Sequence, residues 1–300
     1  MTIDIGVGLG DVVFGMTPED VIAVLGQPEK IDPDFETTYY YNDFLLTLYF
    51  DPDQDCKLHY ISVYNPEARL FGERLINQRK TDVLAILRGQ GCTDLKFEDD
   101  CHDEKVRSGS TETTFTFEFG RLRSIQFGAL FDQDDQRIWP ERSRRTVLDH
   151  EGWRWSPPTD DTAPAEAGEV RIGAGLGDLV LSTTQADVVA VMGKPDRVSE
   201  SEWNVSYYFF EPMLITKFAK NDNCLLYSVQ EYDPRTSLFG RRIMNQTKNT
   251  ILDLLRQNGC DEVIQEDYGY SELVISPETG CWFWFEYDRL RSVEVQRVVV

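Results

Sequence analysis

The chain holds three histidines, six cysteines and 52 carboxylates with which to do chemistry. Histidine is the commonest acid–base group in catalysis. His59, His102 and His150 have no cysteine or carboxylate at metal-ligand spacing, and no histidine follows residue 150. The one dense cluster, Cys101-His102-Asp103, lies in the acidic run Glu98–Glu104, which reads as a solvated loop. Gly6-Val7-Gly8-Leu9-Gly10 has the look of a phosphate cradle, but a dinucleotide fingerprint opens directly into a helix. Here the strand-like Asp11-Val12-Val13-Phe14 intervenes, so the glycines are expected to make turns and bulges. Glu98-Asp99-Asp100, Asp132-Gln133-Asp134-Asp135 and Asp160-Asp161 lack the glycine and distal glutamate of an EF-hand. They are hydrated loops or, for Asp132, Asp134 and Asp135 in particular, a surface that steers a basic partner. The expectation is no catalytic residue, no metal and no cofactor. A hydrolase working with carboxylates alone is a further alternative, and it needs two facing acids in a pocket.

Tryptophan is the other residue type able to act here, through binding. Trp282 and Trp284 alternate with Phe283, Phe285 and Tyr287, the pattern of a strand with one buried face. The tryptophans fall on the face expected to be wet, with Met213 and Ile215 assigned to the same side. Either other parts of the chain cover that face or it binds a protein. Trp139, Trp153 and Trp155 supply half of the six tryptophans, and their segment is expected to dock on the first half or on a partner.

These side chains are positioned by a repeated scaffold. Gly15-Met16-Thr17-Pro18-Glu19-Asp20 through Pro28 recurs as Ser182-Thr183-Thr184-Gln185-Ala186-Asp187 through Pro195. Each copy encodes a short helix. Thr17 or Thr184 is the N-cap with an acid three residues on, and Gly26-Gln27-Pro28 or Gly193-Lys194-Pro195 is the stop. Ile5–Asp11 recurs as Ile172–Asp178, Leu70-Phe71-Gly72 as Leu238-Phe239-Gly240, and Arg121-Leu122-Arg123-Ser124 as Arg289-Leu290-Arg291-Ser292. This is a duplication of about 130 residues. Each copy reads as a strand at 3–7, a helix, and strands at Thr37–Tyr41, Leu45–Phe50 and Leu58–Tyr64. A second helix near Arg79–Arg88 (Thr247–Gln257 in the other copy) and strands at Thr113–Phe119 and Leu122–Phe127 complete it. The fold class is therefore α+β: two tandem pseudo-symmetric repeats, each with short helices on one face of an antiparallel sheet. The boundaries fall at 1–130 for the first repeat, 131–169 for a Trp-containing segment with a flexible acidic linker, and 170–300 for the second.

A net charge of −22 argues against a phosphate-backbone partner and favours a basic one. No run approaches the length of a membrane span, the first residues carry no basic and apolar leader, and Cys56, Cys92, Cys224 and Cys260 recur as small buried groups. No nucleic acid, no membrane and a cytoplasmic location are expected.

The pattern Gly-Met-Thr-x-x-x-Val-x-x-x-Leu-Gly-x-Pro, followed by a Tyr-rich strand and a hairpin ending Leu-x-x-Ile-x-Val, resembles the BamE/OmlA type of outer-membrane lipoprotein. It also looks like the secreted β-lactamase inhibitor proteins. The likeness covers roughly residues 12–64 and 179–232. It implies helices on a twisted antiparallel sheet that binds another protein, without catalysis. Tandem units of this sort also resemble immunity proteins of bacterial toxin systems. The expected function is thus a non-catalytic binding module, an immunity or inhibitor protein that occludes a basic toxin domain. Trp282, Trp284, Met213, Ile215, Asp132, Asp134, Asp135, Trp153 and Trp155 are its candidate contacts. The alternative is a structural or adaptor protein of a cytoplasmic assembly.

Overall fold

Local chemistry sets the helix ends. The computed structural model describes residues 1–33, 36–99, 103–140, 150–155 and 168–297, with α-helices at Pro18–Leu25 (α1), Lys80–Gly89 (α2), Gln185–Met192 (α3) and Lys248–Gln257 (α4). The Thr17 hydroxyl accepts from the Asp20 amide at 3.3 Å while the Asp20 carboxylate accepts from the Thr17 amide at 3.0 Å. Thr184 and Asp187 close the same reciprocal box at 3.2 and 3.0 Å, and the Thr184 hydroxyl holds the Asp187 carboxyl below its usual range. Eight-residue helices of this kind are unstable alone, so packing must retain them.

The chain divides into two compact units, Met1–Ser156 and Pro157–Val300, and its described residues make an α+β fold of mostly antiparallel sheets. In the first unit an eight-stranded sheet runs Leu95–Asp99, Glu104–Ser108, Thr113–Glu118, Arg121–Gly128, Lys57–Val63, Leu46–Asp51, Thr37–Tyr41 and Lys30–Asp32. One face carries Phe115, Phe117, Leu48, Phe50 and Ile61 into a core shared with Val21 of α1 and Val83 and Leu87 of α2. A smaller sheet pairs Thr2–Asp4 in parallel with Arg69–Leu70 and in antiparallel with Gly8–Leu9. The glycine run builds that hairpin. Gly8 has φ +150°, and a Cβ there would lie 2.1 Å from the Val12 carbonyl oxygen, so the run is a turn element.

In the second unit the eight strands run Arg197–Glu200, Asn204–Phe209, Leu214–Ala219, Leu225–Glu231, Arg289–Gln296, Cys281–Glu286, Ser271–Ser276 and Ile264–Tyr268. Phe218, Val229, Phe283, Phe285 and Val293 face Val188 of α3 and Ile251, Leu252 and Leu255 of α4. Short hairpins at Val170–Arg171, Gly175–Leu176 and Leu179–Val180, and at Ser237–Leu238 with Arg241–Arg242, complete it.

Two expectations need revising. The opening strand covers Thr2–Asp4 and not residues 3–7, because Gly6 at φ +72° turns the chain. The run Glu98–Glu104 is a loop only in part: Leu95–Asp99 is an edge strand paired with Glu104–Ser108. The linker around 156–167 and the Cys101-His102 pair lie outside the described residues. Among the described residues Cys56, Cys92, Cys224, Cys260 and Cys281 are free thiols, and burial pushes Cys281 up to about 11, which leaves it unreactive. No described helix is long and apolar enough to cross a membrane.

Candidate protein-binding face

Strand alternation sends half of each sheet away from the helices. Across the first unit one cross-strand row on that outer face reads Lys96, Arg107, Thr114, Gln126, Ser62, Thr47, Tyr40, Lys30. The corresponding row of the second unit reads Ile264, Ile275, Trp282, Glu294, Gln230, Ile215, Tyr208, Arg197. A neighbouring row continues Glu266, Leu273, Trp284, Ser292, against Glu98, Lys105, Thr116, Ser124 in the first unit. One row is polar throughout; the other begins with two isoleucines and a tryptophan. Directly opposed side chains lie within contact reach, so Ile264, Ile275, Trp282, Leu273 and Trp284 form one apolar patch.

The patch is partly open to solvent. Ile264 and Tyr268 are exposed, Trp282 and Trp284 are half-buried, and the Tyr268 ring lies 6.0 Å from that of Trp284. The indole N–H of Trp284 is shut off from solvent without an acceptor, a cost of about 1–3 kcal/mol that the fold tolerates at this spot.

Beside Trp282 the face turns polar. The Glu294 carboxylate, 4% exposed, accepts from Lys217 Nζ at 3.0 Å, Ser228 Oγ at 2.5 Å and Gln296 Nε2 at 3.1 Å. Gln230 Nε2 donates to Ser292 Oγ at 3.0 Å. All three donors converge on Oε1, which fixes the carboxylate in place, so the aromatic anchors adjoin a fixed polar reference.

Two clusters elsewhere invite a chemical reading. Burial, aided by the nearby Asp233 charge, pushes the Glu231 carboxyl up to about 8, while the Arg235 guanidinium and amide hold Asp233 below its usual range. Acids pushed apart in this way suit acid–base work. Glu231, however, is 2% exposed and opposes Leu214 and Val293 of the core, so no substrate reaches it. In the first unit His59 sits between Glu36 on Nε2 and Arg137 on Nδ1, with Arg137 3.4 Å from Asp51. Burial lowers the His59 pKa, so a neutral ring clamps Arg137 and with it the segment after the last strand.

The expected contacts separate accordingly. Trp282, Trp284 and Ile215 share the outer face, and Met213 flanks it, partly exposed, one residue before its strand. Ile215 points outward as expected, yet is 3% exposed between Tyr208 and Gln230 and stands three strands from Trp282, with Glu294 and Gln230 between them, so it is not part of the patch. Asp132, Asp134 and Asp135 belong to the first unit, where Asp132 accepts from the amides of Asp134 and Gln136 at 2.9 Å each and closes its own loop. Trp153 is 6% exposed within the first core, and Trp155 is half-buried with its amide on the Asp43 carbonyl at 2.9 Å. Trp153 is therefore closed to a partner in this state, because its ring is packed inside. Ile264, Ile275 and Leu273 were missed. Matching the two halves residue by residue offers the signal: Lys96 and Arg107 are replaced by isoleucine in the second half.

No family model and no curated protein matches the chain. Among solved structures it is similar to an extracellular protein containing an SCP domain from Bacillus anthracis, at 11% identity and a TM-score of 0.28 over 39% of this chain and 43% of that one. It is also similar to a DUF4309-family protein (YjgB) from Bacillus subtilis, at 15% identity and a TM-score of 0.29 over 40% of this chain and 83% of that one. The chain thus spans less than half the length of the Bacillus anthracis protein. Likenesses of this size carry no argument about activity.

Proposed function

We propose that the chain is a tandem of two copies of one α+β unit acting as a non-catalytic binding module. In our reading it is a cytoplasmic immunity or inhibitor protein that occludes a basic toxin domain. The duplication reading is supported by strand order, which is the same in both eight-stranded sheets once matched position by position. It is supported too by register shifts at Tyr49/Phe50 and Thr116/Phe117 that recur 168 residues later at Lys217/Phe218 and Trp284/Phe285. Bulges are local irregularities of a ladder, and their recurrence favours common descent over convergence.

The observation that carries the binding reading is the apolar outer patch of the second unit, set against its polar counterpart in the first. Both sheets keep the same core positions, so stability does not call for Trp282 and Trp284 on the other side. Half-buried tryptophans beside a fixed ion pair have the composition of an interface centre. The net charge of −22 steers a basic partner toward the chain.

The test takes the products of the genes that flank this one: a basic toxin domain among them is expected to be captured in calorimetry, and the chain to protect cells expressing it. Trp282→Ala with Trp284→Ala is expected to weaken binding by about 2–4 kcal/mol or more and to abolish protection, with the melting temperature nearly kept. Unchanged capture by the folded double variant overturns the assignment. The adaptor alternative uses the same face with a structural protein as occupant. It gains ground if the variant falls out of a larger complex while the toxin domain is never bound.

A further inference from the structure

Each large sheet is bordered by strands with a neighbour on one side only. Such a border offers its outward N–H and C=O groups to a further strand, and lysine is the usual guard against one. Three of the four bordering strands carry charges of both signs: Lys30 with Asp32, Lys96 with Glu98 and Asp99, and Arg197 with Glu200. The fourth, Ile264-Gln265-Glu266-Asp267-Tyr268, carries carboxylates alone, and all five of its residues are exposed.

The matching edge of the first unit is electrically balanced. There Glu98 stands opposite Lys105 and pairs with Arg107 at 3.2 Å. In the second unit Leu273 stands opposite Glu266, and Ile275 takes the position of Arg107. Glu266 accepts from the Tyr268 hydroxyl and pairs with no cation among the described residues. Ile264 and Tyr268, 48% and 54% exposed, lie two residues to either side of it on the same face. Asp267, on the opposite face, accepts from the Gly269 amide at 3.0 Å. The edge thus presents an apolar, an acidic and an aromatic side chain in a row, beside an open backbone.

An edge charged with one sign selects among strands. A second copy laid antiparallel about Glu266 sets acid against acid, and directly opposed like charges are destabilising. A neutral strand leaves both carboxylates uncompensated. A strand bearing lysine or arginine meets them with the opposite sign, and the net charge of −22 draws it in. We infer that a β-strand of a basic partner protein adds to the sheet at Ile264–Tyr268. Its apolar side chains face Ile264 and Tyr268, and a lysine or arginine faces Glu266. Main-chain hydrogen bonds supply the affinity of such an addition and alternate side chains its selectivity. The added strand extends the rows Trp282–Ile275–Ile264 and Trp284–Leu273–Glu266 by one side chain each, so the tryptophans and the edge form one surface. The inference deepens the binding reading above and rests on it for the basic character of the partner.

The probe is the synthetic peptide Thr-Ile-Lys-Lys-Lys-Ile-Thr, blocked at both ends, whose symmetric pattern fits the edge in either direction. It is titrated into the full chain labelled with nitrogen-15 and followed by amide chemical shifts. Saturable shifts at 264–268, without matching shifts at Leu95–Asp99, are expected. A twin with glutamate for each lysine is expected not to bind. A twin N-methylated at all three lysines keeps the charges but cannot donate from those amides, and is expected to bind about tenfold more weakly or worse. Glu266→Gln with Asp267→Asn is expected to weaken binding by about fivefold. Both replacements keep an acceptor oxygen for Tyr268 and Gly269, so the fold should be unchanged, and the peptide twins alter nothing in the protein. Absence of saturable binding overturns the inference, as does equal binding of the N-methylated twin, the mark of charge attraction without strand pairing. No toxin domain enters this test, so it is decided even if that partner is never captured. Where one is captured, binding that fails with the double tryptophan variant yet resists Glu266→Gln with Asp267→Asn overturns strand addition and leaves the binding face standing.

Discussion

At the scale of single residues the most consequential exchange between the halves is Val63 for Glu231, at the end of equivalent strands. Glu231 keeps its proton in the fold up to a pH of about 8, against an ordinary value of 4.5, because burial penalises the charge and Asp233 adds repulsion. The folded chain therefore holds a proton that the unfolded chain has released. Its stabilising effect is complete below pH 4.5 and is lost as the pH climbs to 8, by about 1.4 kcal/mol per unit through that window. Glu231→Gln should thus match the natural chain near pH 4.5 and be several kcal/mol more stable at pH 9, read from urea denaturation across a pH series. Parallel stability curves for the two proteins would contradict this. Nothing in Val229-Gln230-Glu231 announces a buried acid, since a strand-terminal glutamate is ordinarily solvated. Trp282 and Trp284, in contrast, were legible because a period of two places alternate residues on opposite faces.

Elements were legible where their ends carry chemistry. The capping threonines, first-turn acids and stop glycines put α1 and α3 within a residue of their observed limits. Thr17→Ala removes the acceptor for the Asp20 amide, and a loss of about 1 kcal/mol in unfolding free energy is expected by chemical denaturation. Thr17→Ser should restore most of it. Leu95–Asp99 escaped notice because four of its five residues are exposed and the pattern Leu-Lys-Phe-Glu-Asp resembles a loop. A strand held by one ladder at a sheet edge needs no buried stripe, so periodicity has nothing to report there. The apolar patch was half legible for the same reason: its tryptophans lie on an interior strand, but Ile264 lies on an edge.

For the whole molecule, the segment after residue 130 belongs energetically to the first unit. Trp153 is part of its core, and Trp139 packs against that core, so residues 1–156 should unfold in one cooperative transition. A shorter chain ending at residue 130 loses both rings. Deleting a buried tryptophan alone costs about 3–5 kcal/mol, so calorimetry should show a transition lowered by about 10 °C or more. Equal melting of the two fragments would mean that the segment only rests on the surface. The order of elements was visible from recurring motifs, whereas the place where the segment settles depends on glycines at 6, 10 and 15 whose lack of side chains admits Leu130 and two tryptophans.

Both large sheets are open, ending in Lys30–Asp32 and Leu95–Asp99 in one unit and Arg197–Glu200 and Ile264–Tyr268 in the other. Every one of these borders carries ionised side chains, which discourage a foreign strand from adding to the ladder. That protection is itself electrostatic. Near the isoelectric acidity of about 4.5 the mutual repulsion between molecules fades, and these four open margins are where one chain is expected to add edge to edge onto another.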